Sequence, residues 1–418
     1  MGVPDVPDVP AAPAVPPRTL LVTVTGNDRP GVTSALFDAI ADVGAEVLDV
    51  EQVVVRGHLT LALLLAAGPR VEVLRSVVRD VASGLGMDVS VSAGTGDNAP
   101  RAGGRAAVVV LGAPLLASAV SAVTARIAAH GANIDRIHRL SRYPVTTVEF
   151  DISGADVATL RRELSLESAV RGVDIAVAPA GLARRGRRLV VMDVDSTLIQ
   201  DEVIELLAAH AGRGAEVATV TEAAMRGELD FAESLRARVA VLAGLPVSVL
   251  SEVRAAIRLT PGARTLVRTL KRLGFTVAVV SGGFLEIVGD LARELDIDHA
   301  QANRLEVSDG VLTGRVVGEI VDRAGKAAAL RRFAEQERLP LSRTVAIGDG
   351  ANDLDMLDAA GLGIAFNAKP IVREQADTSV NVPYLDAVLY LLGITREEIE
   401  EADAEDGVPT PAPDLPAR

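Results

Sequence analysis

The 418-residue sequence predicts an α/β fold in three parts: two small ferredoxin-like modules, followed by a larger Rossmann-like domain built on a parallel sheet. Two observations support this prediction. The first half of the chain passes twice through the order strand, helix, strand, strand, helix, strand, which is the split βαβ form. The second half alternates short apolar runs with helix-periodic stretches, and such runs are typical of buried parallel strands.

The first module is predicted over residues 18–93 and the second over residues 106–180. The stretches Ile40–Ala45 and Ile127–Ala132 share Ile, Ala, Gly and Ala at matching positions, which indicates an internal duplication. The elements expected in chain order are Leu20–Thr25, Gly31–Val43, Glu46–Val55, Leu59–Ala66, Val71–Gly84 and Asp88–Ser92, then Ala107–Leu111, Leu115–Ala129, Ala132–Leu140, Thr146–Ile152, Ala155–Leu166 and Asp174–Val177.

Proline, glycine and charge runs mark the other boundaries. Residues 1–17, with repeated Pro, predict a disordered tail. In the second half, Leu305–Val317 predicts a β-hairpin because turn residues interrupt it. The remaining segments are predicted as a Gly-rich linker (94–105), a short basic linker with a solvated arginine cluster (181–188), a catalytic domain (189–395) with a helical cap at about 201–258, and a disordered acidic and Pro-rich tail (396–418).

An Asp-x-Asp pair closes the apolar run Leu189–Met192. Residues at i and i+2 of an extended strand point the same way, so the carboxylates of Asp193 and Asp195 are expected to lie together. Such a pair is tolerated if a cation sits between the carboxylates or if one of them keeps a proton. A hard divalent ion such as Mg²⁺ meets that need. The alternative is a polar strand end at which Asp195 caps the next helix.

Three further apolar runs end in small or polar residues, at Ser281, at Asp349 and at Asn367. Ligands of open α/β sheets bind at the carboxyl ends of the strands, so Asp193, Ser281 and Asp349 are expected in one crevice if their strands are neighbours. The loop Gly348–Asp353 adds acidic and amide groups beside glycines that permit close backbone approach. Lys326 lies between two of the runs and is a candidate phosphate ligand.

Four motifs occur in order: Asp-x-Asp-Ser-Thr from Asp193, Ser-Gly-Gly from Ser281, the lone Lys326, and Gly-Asp-Gly-Ala-Asn-Asp over Gly348–Asp353. This pattern resembles that of the haloacid dehalogenase superfamily of phosphohydrolases, and within it the phosphoserine phosphatases. The resemblance covers roughly residues 188–393. It implies that Asp193 is the nucleophile and that Asp195 is the acid and then the base. It also implies that Mg²⁺ is held by the carboxylate of Asp193, the main-chain carbonyl of Asp195 and the carboxylate of Asp349. The remaining implied roles are phosphate binding by Ser281, Gly282 and Lys326, substrate or phosphate contact by Asn352, and support of the metal ligands by Asp353.

The segment between the first two motifs is similar to the helical cap of phosphoserine phosphatases. There the residue matching Glu202 meets the substrate ammonium, the residue matching Arg238 meets its carboxylate, and those matching Met225 and Phe231 close over it. An amino acid phosphate carries one cation and two anions, so a selective site needs such a set. The alternative is that Glu202 is a first-turn helix acid and Arg238 a solvated helix residue.

The N-terminal half resembles a tandem pair of ACT domains, which bind amino acids. The first copy carries Thr25–Val32, close to the ligand-loop pattern, in which Gly26, Asp28 and Gly31 are candidate effector-binding residues. The resemblance implies L-serine as effector and a homo-oligomer, a dimer or higher. A strand-to-helix turn with no ligand is an equal alternative for this loop. In the second copy, Leu111–Leu115 lacks the Asp and the second Gly.

Composition excludes several classes of function. A net charge of −14 disfavours nucleic-acid binding, and the apolar runs are too short to span a membrane. No Cys and no signal-peptide pattern at the start favour a cytoplasmic location. The five His residues form no zinc-like cluster, and no nucleotide-binding loop or serine-hydrolase elbow is present.

The sequence therefore predicts an Mg²⁺-dependent phosphatase that hydrolyses O-phospho-L-serine through an aspartyl-phosphate, the last step of L-serine biosynthesis, under control by an amino acid. One alternative is a related small-molecule phosphatase or a phosphotransferase. An alternative of another class is an amino-acid sensor whose phosphatase domain is inert.

Overall fold

The computed structural model describes residues 18–66, 68–95, 103–180, 184, 186–225 and 230–410. The predicted tail at 1–17, most of the linker at 94–105 and part of the linker at 181–188 lie outside the described residues. No helix in the described ranges is both long and apolar enough to cross a membrane.

The first module is a four-stranded antiparallel sheet with two helices, as predicted. The strand order is β2-β3-β1-β4. In β3, Leu59, Leu61, Leu63 and Leu65 are all buried against the helices, because alternate residues of a strand share one face. The elements are β1 (Arg18–Asn27), α1 (Val32–Val43), β2 (Glu46–Val55), β3 (His58–Ala66), α2 (Val71–Gly84) and β4 (Asp88–Thr95).

The second module repeats this arrangement with the order β6-β7-β5-β8. Every residue of β5 is buried, because one face of the strand packs on the module's helices and the other belongs to the core of the catalytic domain through Val109 and Leu111. The second module and the catalytic domain form one compact unit. The elements are β5 (Ala106–Gly112), α3 (Ala117–Ala129), β6 (Asn133–Ser141), β7 (Thr146–Ser153), α4 (Val157–Arg171) and β8 (Asp174–Pro179).

The catalytic domain contains a seven-stranded sheet of order β12-β11-β10-β9-β13-β14-β15. All pairs are parallel except the hairpin of β11 and β12, so the predicted parallel sheet and hairpin are both confirmed. The strands are β9 (Leu189–Met192), β10 (Thr276–Phe284), β11 (His299–Ser308), β12 (Val311–Val317), β13 (Thr344–Gly348), β14 (Leu362–Phe366) and β15 (Thr378–Val380). Because β9 lies between β10 and β13, the three strand ends that carry the predicted site are neighbours.

Four helices follow β9 within the segment predicted as the cap, about residues 201–258. They are α5 (Val203–His210), α6 (Gly214–Met225), α7 (Phe231–Ala240) and α8 (Val249–Ala256). The other helices of this domain are α9 (Ala263–Arg272), α10 (Leu285–Glu294), α11 (Arg323–Gln336), α12 (Leu354–Ala359), α13 (Pro370–Gln375), α14 (Val388–Leu391) and α15 (Arg396–Glu405).

The segment after residue 395 corrects the sequence analysis, which predicted a disordered tail. Residues 396–405 form α15, which begins at a capping box between Thr395 and Glu398. Asp403 of this helix is fully buried and accepts hydrogen bonds from Arg268 and Arg272 of α9. The acidic run looked like a solvated tail because its arginine partners lie more than 130 positions away in sequence.

The arginine cluster at 181–188 is a second correction, since it was predicted to be solvated. Arg184 makes two hydrogen bonds to the carboxylate of Glu149, and Arg188 is 8% exposed. Arg184 lies between the second module and the catalytic domain, whereas Arg187 of the same cluster is exposed, as predicted. Residues 181–183 and 185 lie outside the described residues.

Candidate active site

Asp193 follows β9, and its carboxylate is held at both oxygens. Its amide donates to the carbonyl of Ile347 on β13 at 2.9 Å, which continues the sheet pairing past the end of β9. Oδ1 accepts from the Val194 amide at 2.7 Å, and Oδ2 lies 2.8 Å from Nζ of Lys326. Burial, together with the charges of Asp353 and Asp195, raises the pKa of Asp193 well above its usual value.

Lys326 lies in the first turn of α11 and is fully buried. Its ammonium group bridges Asp193 and Asp353, with Nζ 2.7 Å from Oδ1 of Asp353. Burial alone would lower the pKa of Lys326, but the two carboxylates outweigh burial and raise it. Lys326 therefore stays charged and fixes the orientation of the Asp193 carboxylate.

Asp195 lies in the irregular turn Val194–Leu198, where Ser196 has a φ of 55°. Its Oδ1 accepts from the Val203 amide at 2.8 Å, and its Oδ2 accepts from the Ser281 hydroxyl at 2.9 Å. Asp195 therefore accepts a hydrogen bond from the first turn of α5, which is close to the helix-cap alternative, and it also contacts Ser281 of β10. Burial raises the pKa of Asp195.

A cluster of carboxylates lies where the ends of β9 and β13 meet. Ligand atoms of Asp193, Asp349 and Asp353 all lie within 4.8 Å of one another. Burial and the charge of Asp353 raise the pKa of Asp349 to about 6, although Thr197 donates to its Oδ1 at 3.2 Å. The Asp353 carboxylate forms an ion pair with Lys326, and its Oδ2 accepts a hydrogen bond from the Gly350 amide at 3.0 Å. Asp193 and Asp353 both share the ammonium group of Lys326, so Asp349 is the member of the cluster best placed for a cation.

The irregular end of β10, where the register with β11 shifts between Val280 and Phe284, leaves no room for larger residues. A Cβ at Gly283 would lie 2.9 Å from Oγ of Ser281 and 3.1 Å from Oδ2 of Asp195. The Gly282 carbonyl accepts from Nδ2 of Asn303 at 2.8 Å, and Oδ1 of Asn303 accepts from the Val321 amide at 2.8 Å. Asn303 was not predicted. The sequence carries no signal for it, because Asn303 lies between Gln301 and Arg304 in a strand without a continuous apolar run.

The cap contributes groups of both charges. Glu202 accepts from the Ser196 hydroxyl at 2.8 Å, and burial together with the charge of Asp195 raises the pKa of Glu202 to about 7. Arg238 of α7 is half-buried, and burial lowers its pKa. The Phe231 ring packs close to Gly282, since a Cβ at Gly282 would be 3.2 Å from that ring. Arg238 is therefore not the solvated helix residue of the alternative interpretation, whereas Glu202 does lie at the start of α5, as that interpretation expected.

Most of the predicted site residues line a cavity of about 290 Å³. Ser281, Lys326 and Asp353 are buried behind its wall rather than in it. The cavity also reaches Lys369, which sequence analysis missed because it lies in the loop before α13 without a motif. The side chain of Met225 lies outside the described residues. The predicted residues that line the cavity are Asp193, Asp195, Glu202, Phe231, Arg238, Gly282, Asp349 and Asn352.

Comparison with known proteins agrees with this architecture. The model of the haloacid dehalogenase-like hydrolase family matches residues 190–358, and two ACT domain models match residues 18–92 and 105–178. A phosphoserine phosphatase of Streptomyces coelicolor is 63% identical over 387 residues, covering 92% of this chain and 94% of that protein. This chain belongs to the phosphoserine phosphatase family.

Two other proteins are similar to this phosphatase over most of its length. A phosphoserine phosphatase of Mycobacterium tuberculosis is 56% identical over 395 residues, covering 93% of this chain and 96% of that one. The unliganded crystal structure of a probable phosphoserine phosphatase from Vibrio cholerae matches with a TM-score of 0.55 at 36% identity, covering 72% and 88% of the two chains. The inert-sensor alternative is therefore set aside, since the chain is a phosphoric monoester hydrolase.

The candidate effector loop of the phosphatase lies in the first module, between β1 and α1. Gly31 precedes α1 with a φ of 94°, a conformation that favours glycine. A Cβ at Gly26 would lie 2.5 Å from the sulfur of Met87, so packing alone explains this glycine. The Asp28 side chain is exposed. These contacts are those of a strand-to-helix turn, and effector binding by Gly26, Asp28 and Gly31 stays a prediction.

Proposed function

We propose that this phosphatase hydrolyses O-phospho-L-serine to L-serine and phosphate, as the last step of L-serine biosynthesis. The observation that carries the proposal is the charge pattern of the 290 Å³ cavity. Asp193 lines this cavity together with Glu202 and Arg238 of the cap. The carboxylate of Glu202 complements the ammonium of an amino acid, and the guanidinium of Arg238 complements its carboxylate.

In the first half-reaction, a carboxylate oxygen of Asp193 bonds to phosphorus and the bond from phosphorus to the serine oxygen breaks. Asp195 gives its proton to the departing serine oxygen. Its raised pKa suits a group that must hold a proton beforehand. In the second half-reaction Asp195 takes a proton from water, which attacks phosphorus and releases phosphate from Asp193.

The charged side chains around the nucleophile support phosphoryl transfer. Lys326 places a cation 2.8 Å from Asp193, on the side where negative charge spreads in the transition state. Ser281 and the amide of Gly282 are proposed to hold phosphoryl oxygens, and Asn303 keeps the Gly282 peptide in place by binding its carbonyl. Asn352 lines the same cavity and is proposed to contact the substrate.

The donor set also fits a hard divalent cation. Asp193 and Asp349 supply carboxylates whose pKa values are raised in its absence, and the Asp195 carbonyl is proposed as the third ligand. Bound Mg²⁺ would neutralise phosphoryl oxygens and orient the phosphate toward Asp193. Asp353, bound to Lys326 and Gly350, is proposed to support these ligands.

The test is phosphate release from O-phospho-L-serine and a panel of other phosphomonoesters, with Mg²⁺ and with EDTA. We expect Mg²⁺-dependent turnover with a strong preference for phosphoserine. Equal turnover of the whole panel would contradict the role assigned to the cap, and undiminished turnover in EDTA would contradict the metal. Transfer of phosphate to an added alcohol instead of water would favour phosphotransfer.

We further infer that L-serine acts at the loop containing Asp28, and that the ACT modules join copies of the chain into a homo-oligomer. The exposed Asp28 makes Asp28→Ala a cleaner test than a change at Gly26, where Met87 would be displaced. Asp42→Ala, an exposed position of the same module, is the matched control. Serine inhibition that Asp28→Ala leaves unchanged would place serine at the catalytic cavity as product.

A further inference from the structure

The hairpin of β11 and β12 is attached to the cap. β12 is an edge strand of the seven-stranded sheet, and the loop between α7 and α8 runs antiparallel along its outer side. The Gly244 amide donates to the Leu312 carbonyl at 2.8 Å, and the Leu312 amide donates to the Leu245 carbonyl at 2.8 Å. The Val247 amide donates to the Gly310 carbonyl at 2.9 Å. Backbone hydrogen bonds thus fix this loop of the cap to the hairpin.

The C-terminal end of α7 packs directly on Gly314 of β12. A Cβ at Gly314 would lie 2.8 Å from Cβ of Ala243, 3.2 Å from the carbonyl oxygen of Ala240 and 3.3 Å from Cα of Ala240. Carbon atoms in favourable contact are about 3.5 to 4.0 Å apart. A side chain at position 314 would therefore have to push the end of α7 away from β12.

The same helix carries the cap residues of the catalytic cavity. Phe231, Leu235 and Arg238 all line this cavity, and their spacing of four and three residues places them on one face of α7. Arg238 lies two positions before Ala240. Because residues of one helical turn move together, a shift of Ala240 against β12 displaces the guanidinium of Arg238 as well.

The other strand of the hairpin is attached to the residues proposed to bind phosphate. Asn303 of β11 donates to the Gly282 carbonyl at 2.8 Å. The hairpin therefore contacts the Gly282 peptide through β11 and α7 through β12. In O-phospho-L-serine only a short chain of bonds separates the phosphate from the carboxylate. The phosphate-binding residues and Arg238 must lie at a matching separation to bind both groups at once.

We propose that the β11–β12 hairpin sets the separation between the phosphate-binding residues and Arg238, and that Gly314 is the positioning residue that lets α7 pack on β12. Gly314 does not line the catalytic cavity and acts through α7. This inference rests on the proposed role of Arg238 in binding the substrate carboxylate. It adds that the preference for phosphoserine depends on a residue outside the cavity.

The experiment measures kcat and KM of Gly314→Ala with O-phospho-L-serine and with O-phosphoethanolamine, which lacks the carboxylate. Gly318→Ala is the matched control. Gly314 and Gly318 have φ values of 81° and 82°, so alanine strains the backbone at both positions, but a Cβ at Gly318 would meet nothing within 4 Å. A second variant, Ala243→Val, enlarges the same contact from the side of the cap.

We expect Gly314→Ala and Ala243→Val each to lower kcat/KM for phosphoserine about tenfold, mainly through KM, because Arg238 is displaced from the carboxylate. Phosphoethanolamine should be hydrolysed nearly as by the wild type, and Gly318→Ala should leave both substrates unaffected. In the Arg238→Lys background, Gly314→Ala should have little further effect on phosphoserine, since both changes act on one contact. Should Gly314→Ala fail to fold, Ala243→Val decides the question.

Three results would overturn the inference. The first is a fall of equal size for both substrates, which would show general damage to the cap. The second is an equal loss in Gly318→Ala, which would show backbone strain instead of contact with α7. The third is unchanged selectivity in Gly314→Ala and Ala243→Val while Arg238→Lys loses it, which would leave the proposed function intact. If Arg238→Lys itself keeps its selectivity, carboxylate recognition by Arg238 fails and the role of the hairpin fails with it.

Discussion

Arg238 offers the sharpest test of substrate recognition in the cap. It lies on α7, half-buried, and lines the catalytic cavity. Its Nε donates to the Ser234 carbonyl at 3.4 Å, a contact that leaves both terminal nitrogens for a ligand. Two parallel hydrogen bonds from a guanidinium to a carboxylate fix its orientation, which the ammonium of lysine cannot reproduce.

The change Arg238→Lys keeps the charge and removes this two-point contact. Losing one charge-assisted hydrogen bond costs about 2 to 3 kcal/mol, which is roughly a 30- to 160-fold fall in kcat/KM for O-phospho-L-serine. O-Phosphoethanolamine, which lacks the carboxylate, should lose nothing. The assay is phosphate release from both substrates at saturating Mg²⁺.

Arg236→Lys is the matched control for this experiment. Arg236 lies on the same helix but is exposed and does not line the cavity. It should leave both substrates unaffected. An equal fall for phosphoserine and phosphoethanolamine in Arg238→Lys would refute carboxylate recognition, because it would show a general loss of cap structure. No fall for either would remove Arg238 from the site.

Three further changes have expected outcomes. Asp193→Asn should abolish phosphate release while O-phospho-L-serine still binds by calorimetry; substantial remaining turnover would exclude it as nucleophile. Lys326→Met should lower the free energy of unfolding by about 3 to 5 kcal/mol, because it leaves buried carboxylates uncompensated, and adding Asp353→Asn should restore part of that in thermal unfolding. Asp403→Asn should cost about 2 kcal/mol at neutral pH in urea unfolding. Burial alone would raise the pKa of Asp403, but Arg268 and its other partners lower it to about 2 from 3.8, so this stabilisation is complete above about pH 4 and is lost as the pH falls toward 2. A difference that grows on acidification would contradict the assignment.

The parts of the site that lie at strand ends were predictable from local pattern. A short apolar run followed by Asp193, by Ser281 or by Asp349 marks a buried parallel strand with its ligand end, and β9, β10 and β13 are such strands. Parallel strands bring their carboxyl ends to one edge, so three local signals predicted one long-range meeting point. The two modules were predictable for a similar reason, since their period-two and helical patterns are local.

Other features depend on contacts between distant parts of the chain. The Asn303 side chain donates to the Gly282 carbonyl and accepts from the Val321 amide. These two backbone groups are distant in sequence, so no local pattern reveals that they need Asn303 as a partner. The charged residues of 396–405 looked solvated because their partners on α9 are far away in sequence. The arginine at 184 was misjudged in the same way, since only packing of the second module on the catalytic domain buries it against Glu149.

Residue order alone thus indicated which strands are buried and which side chains end them, whereas the roles in phosphoryl transfer came from the resemblance to a family and stay predictions. Those features follow from alternation, periodicity and the ligand preferences of charged groups, which act over a few residues. Burial in the folded protein decided the environment of the charged groups. Whether a charge such as Lys326 or Asp403 faces water or another charge depends on which surfaces the folded chain brings together. Those contacts between distant residues set the pKa values of the charged groups and bring the residues of the catalytic cavity together.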